Sequence, residues 1–100
     1  MATQFTITSG VVDIMDDWNN PTLQLYITKT DEDKKAFVTI KATLADTSSA
    51  STTDADWAVV HSMQVGSGVY VFKVNGTTEG VSYKLVGENC TITDGYYQNE

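Results

Sequence analysis

Apolar and polar residues alternate with a period of two through the second half of the chain. Trp57-Ala-Val-Val-His-Ser-Met-Gln-Val65, Val69-Tyr-Val-Phe-Lys-Val74 and Val81-Ser-Tyr-Lys-Leu-Val86 each carry the pattern. That period places successive side chains on opposite faces of a sheet. Gly66-Ser-Gly68 separates the first pair of runs, and Asn75-Gly-Thr-Thr-Glu-Gly80 the second. Glycine reaches the backbone angles of tight reversals, so residues 57–86 are read as a three-stranded antiparallel meander.

The first half is less regular. Gln4-Phe-Thr-Ile-Thr8 alternates and predicts a strand. Val11-Val-Asp-Ile-Met-Asp-Asp-Trp18 is ambiguous. Val11, Ile14, Met15 and Trp18 fall on one helical stripe, but the valines and Gly10 oppose a helix, so a short helix and a second strand both stay open. Asn19-Asn-Pro21 breaks either element. Leu23, Leu25 and Ile27 then share one face of a strand over 23–28. Asp31-Glu-Asp-Lys-Lys35 is a charged turn leading into Phe37-Val-Thr-Ile-Lys-Ala-Thr-Leu44. A helix capped near Thr30 could align Phe37, Ile40 and Leu44. The β-branched residues and the short turn favour a hairpin strand.

Residues 45–56 are small and polar without periodicity, which predicts an exposed, mobile loop, long for a compact domain. Cys90-Thr-Ile-Thr93 reads as a last short strand. Asp94-Gly95 reads as a turn, with Tyr96 and Tyr97 in a tail beyond it. The sum is seven to eight short strands in one domain spanning residues 1–100. Turn signals every eight to twelve residues predict an all-β, immunoglobulin-like antiparallel sandwich, with a small β-barrel as the alternative.

Composition narrows the function classes. The chain has 100 residues and a formal net charge of −7, and all six of its cations are lysines. Nucleic acid and anionic membrane both recruit basic charge, arginine above all, so neither is an expected partner. No apolar run is long enough for a membrane-spanning helix. Met1-Ala-Thr-Gln-Phe5 lacks the basic-then-apolar pattern of a secretory signal. The expectation is a chain that stays where it is made. The alternative is a secreted chain whose signal has been removed.

Candidate chemistry is sparse. His61 is the only histidine, and the alternation groups it with Trp57, Val59, Met63 and Val65 on one strand face. No neighbouring acid and nucleophile complete a triad around it. Cys90 is the only cysteine, so no internal disulfide forms and no zinc cluster is available. Asp31-Glu-Asp33, Asp54 with Asp56, and Asp13 with Asp16-Asp17 could offer oxygens to calcium, but none has calcium-loop spacing. They read as solvated turns. No cofactor is expected, and no catalytic residue is assigned. Asn75-Gly-Thr77 and Asn89-Cys-Thr91 fit the glycosylation acceptor pattern, which has no role without secretion.

The aromatics remain. Rings stack sugars or anchor protein interfaces. Trp18, Tyr96 and Tyr97 are the candidate interface residues, and the 45–56 loop and the Asp31–Lys35 turn are further candidate contact regions. The meander is expected to be scaffold.

The stretch Gly68-Val-Tyr-Val-Phe-Lys-Val-Asn-Gly76, followed by Val81-Ser-Tyr-Lys-Leu-Val-Gly87, resembles in texture small all-β virion proteins of tailed phages. These are capsid decoration (auxiliary) proteins and short fibre or tail domains. The resemblance covers the last half of the chain and transfers no functional residue. It implies a non-enzymatic structural protein of the virion, contacting a capsid or tail lattice, often as a homo-oligomer. A secreted carbohydrate-binding or adhesion module from a larger protein is the alternative expectation.

Overall fold

The structure, a computed structural model, describes residues 2–100. Nine strands occur among them: β1 (Thr3–Gln4), β2 (Ile7–Thr8), β3 (Val11–Val12), β4 (Thr22–Lys29), β5 (Ala36–Thr43), β6 (Ala58–Val65), β7 (Gly68–Lys73), β8 (Ser82–Glu88) and β9 (Cys90–Gln98). A four-stranded sheet has the order β1-β9-β4-β7, and a three-stranded sheet the order β6-β5-β8. The short pair β2–β3 forms a separate ribbon. All pairings are antiparallel. The protein is an all-β sandwich and not a closed barrel. Its two main sheets hold four and three strands, and its last strand lies between β1 and β4.

Alternation explains the core. Leu23, Leu25 and Ile27 of β4 are buried at every second position, as their spacing predicts. Val38 and Ile40 of β5, Tyr83 and Leu85 of β8, and Ile92 and Tyr97 of β9 join them in one cluster. Each fully buried Leu or Ile contributes about 1.5–3 kcal/mol relative to exposure. Over 37–44 the strand prevails over the helix. Leu44, which a helix would bury beside Ile40, is 84% exposed.

The expected meander is corrected. Residues 57–86 do hold three strands, but none of them pairs with another. β6 and β8 pair with opposite sides of β5, whereas β7 pairs with β4 in the other sheet. Gly66-Ser67 and residues 74–81 are crossovers between sheets. Alternation specifies that a strand has a core face, and that requirement is met equally well in either sheet of a sandwich.

The expected turn at Asp94-Gly95 is also corrected, since both residues lie inside β9. Gly95 is required there by packing. A Cβ at this position would sit 2.6 Å from Cδ2 of Phe5 and 2.7 Å from the Gln24 carbonyl oxygen. A register shift opposite Tyr26/Ile27 leaves Thr93 as an extra residue in β9. The shift changes the phase of alternation, so Ile92 and Tyr97 both face the core despite their odd spacing. The strand expected over 4–8 is interrupted at Phe5-Thr6, where the Phe5 amide donates to the Gly95 carbonyl at 2.9 Å.

Residues 11–18 form no helix. After β3, Met15 and Tyr83 exchange backbone hydrogen bonds of 2.9 and 2.7 Å. The segment thereby borders β8 and delivers Trp18 to the core. Residues 44–57 connect β5 to β6 along the surface, with one 3-10 turn at Asp54–Asp56.

Candidate interaction surface

Of the three residues expected at an interface, two belong to the core. Trp18 is fully buried, stacked on Tyr83 with centroids 5.2 Å apart and planes at 19°. Its Nε1 has no hydrogen-bond partner among the described residues. Tyr97 is 8% exposed and packs on Phe5 at 5.5 Å. Its inward face follows from the Thr93 bulge, which the sequence does not advertise. Burial raises the Tyr97 pKa, and the neighbouring Asp17 carboxylate raises it further.

Tyr96 alone points outward. It is half-buried on the outer face of the four-stranded sheet, 6.4 Å from Tyr26 with the rings at 70°. Gln24 donates to the Tyr26 hydroxyl at 2.8 Å. A flat platform for a sugar needs coplanar rings, and these two meet edge to face. Beyond β4 on the same face stand Val69 and Val71 of β7, 55% and 65% exposed and directly opposite Tyr26 and Gln24.

The edges of the two sheets differ sharply. β1 is only two residues long. β8 is flanked by the Met15 segment. β6 is distorted by a register shift between Ile40 and Lys41 that leaves Val60 unpaired. β7 is different: six residues pair with β4 in unbroken register, from Thr22↔Lys73 to Ile27↔Gly68. Among the described residues, no strand neighbours its other side.

The bulge in β6 also repositions His61. His61 shares the core-side face with Ile40 but stays exposed at the open edge, while Val59 faces outward opposite Lys41, so the predicted shared face is split. The imidazole stacks on Phe72 of β7, with centroids 5.7 Å apart and planes at 22°. Edges β6 and β7 therefore lie one above the other along one side of the sandwich. Trp57 lies outward as well, with the Lys84 ammonium 4.3 Å from its ring centroid.

That side also has a charge signature. The chain has thirteen acidic residues, yet residues 57–78, which contain both edge strands, have none. Val59 and Val60 of β6 and Val69 and Val71 of β7 are all more than half exposed, Val59 on the outer face of the three-stranded sheet and Val69 and Val71 on that of the four-stranded sheet. The sequence reading missed this surface because it assigned the alternating runs to a scaffold. The acid-free window was the available signal.

Other regions offer little chemistry. A groove of about 440 Å³ runs past Asn20, Lys73, Tyr96 and Glu100, with Lys73 and Glu100 paired at 2.7 Å. Cys90 is buried, which pushes its thiol pKa up, and its Sγ contacts the Phe37 carbonyl at 3.5 Å. Among the described residues, no three of His, Cys, Asp or Glu gather closely enough to hold a metal ion. No protein-family model, no curated protein and no solved structure matches this chain.

Proposed function

We propose that this chain is a non-enzymatic structural protein that works by protein–protein contact. We propose further that it is a virion component, made in the host cytoplasm, that decorates a phage capsid or tail lattice. The observation that carries the contact reading is the open, regular edge of β7, set in a stretch of sequence without acidic residues and bordered on its outer face by the exposed Val69 and Val71. Exposed apolar surface of this kind marks interaction sites. The phage assignment rests on the sequence texture of residues 68–87. On a repeated lattice a modest contact suffices, because multivalency raises the effective affinity without new contacts.

The test is co-sedimentation with the capsid or tail lattice encoded beside this gene. The expected result is stoichiometric binding that Val71→Lys weakens. A chain that never pellets with any such lattice, or a gene neighbourhood without structural phage genes, overturns the virion assignment.

A further inference from the structure

We propose that β7 pairs antiparallel with β7 of a second copy of this chain, about a two-fold axis through Tyr70. The inference deepens the contact reading above by naming a partner, and it rests on that reading for its biological use.

An unpaired strand edge presents amide and carbonyl groups to any extended chain, and soluble proteins normally block such edges. Here β1 is short, β6 is bulged and β8 is bordered by Met15. β7 has no proline, no bulge and one charge, Lys73 at its end. Lys73 is already paired with Glu100 of the same chain.

Charge favours a second copy as the occupant. At −7 overall, two chains repel each other through most of their surfaces. Residues 57–78 contribute no carboxylate, and the Glu100 carboxylate that reaches β7 is paired with Lys73, so approach through this edge meets less repulsion.

Register follows from geometry. Residues directly opposite in an antiparallel pair share a face, so a two-fold axis must pass through a residue. With Tyr70 on the axis, Val69 of each chain faces Val71 of the other on the outer face. Val69 and Val71 of the two chains then form one strip. On the inner face, Gly68 of each chain faces Phe72 of the other and leaves room for the ring. No like charges meet. With Val71 on the axis, Val69 would instead face Lys73. The resulting contact is isologous, and the four-stranded sheet becomes one of eight strands.

A six-residue edge is smaller than the about 800 Å² per partner of a standard stable interface, so a weak dimer is expected. Sedimentation from about 10 μM to about 1 mM spans the range of such contacts. The mass should rise from 10.9 kDa toward twice that value. Val71→Lys should weaken the dimer more than tenfold, because the ammonium is desolvated against Val69, while the thermal midpoint stays unchanged. Oxidising a mixture of Val69→Cys and Val71→Cys chains should yield a cross-linked heterodimer. Either variant alone should not cross-link, since like positions then lie more than about 7 Å apart. A monomer at the highest concentration, a dimer indifferent to Val71→Lys, or cross-linking of either variant alone overturns the proposal. A monomer that still binds a lattice removes the dimer and leaves the contact reading. A dimer that binds no lattice does the reverse.

Discussion

The Tyr97 hydroxyl lies 3.0 Å from both carboxylate oxygens of Asp17 and donates to them. This bond joins β9 to the segment that carries Trp18, whose ring is 6.1 Å from that of Tyr97. It explains why Tyr97 serves packing and leaves the surface to Tyr96.

Tyr97→Phe should therefore cost about 1 kcal/mol of stability at neutral pH, the net worth of one hydrogen bond. Its pKa is raised in the folded state by burial and by Asp17. The unfolded chain ionises first, near the ordinary tyrosine value of about 10. The contribution is thus fully present below about pH 10 and is lost as pH climbs toward the folded value. Urea titrations from neutral to strongly alkaline pH should show a shallower alkaline decline for Tyr97→Phe than for the parent.

Gly95→Ala should destabilise by about 2 kcal/mol or more, since overpacking costs about 1–3 kcal/mol and one of the clashing atoms is backbone. The Phe5 ring can yield, but the Gln24 carbonyl oxygen at 2.7 Å cannot. Phe5→Leu in the same chain should recover only part of the loss in thermal midpoint. Full recovery would place the whole clash on the ring.

The two tryptophans should separate cleanly by acrylamide quenching. Trp18 is fully buried, whereas Trp57 is partly exposed beneath Lys84. Trp57→Phe should leave an emission that acrylamide barely quenches, and Trp18→Phe one that it quenches readily.

Asp54→Ala should change stability by less than about 0.5 kcal/mol, because an exposed ion pair contributes little. Asp54 approaches Lys84 at 3.4 Å but is 94% exposed. A larger loss in urea denaturation would mean that the 45–56 loop is anchored more firmly than this single contact implies.

Strand existence was legible in the sequence, and strand partnership was not. Leu23, Leu25 and Ile27, or Val38 and Ile40, announce a core face by spacing alone. Which sheet receives β7 depends on crossovers at Gly66-Ser67 and 74–81, whose turn residues look like hairpin turns. Two bulges escaped for a related reason. Thr93 and Val60 each shift the phase by one residue, exchanging inward and outward positions beyond them. That shift buried Tyr97 and separated His61 from Val59. Asp94-Gly95 resembled a turn because its glycine was read for backbone freedom, when its role is to admit Phe5. The open edge of β7 was invisible because an edge is defined by absent neighbours, which only the assembled sheets reveal.

Hydrogen exchange along β7 tests the central claim most directly. In dilute solution, the amides of residues 68–73 that face away from β4 should exchange quickly. When the chain docks, whether on a second copy or on a lattice, that segment should gain protection. Protection gained instead at the 45–56 loop or the Asp31–Lys35 turn, with residues 68–73 unchanged, would contradict the account.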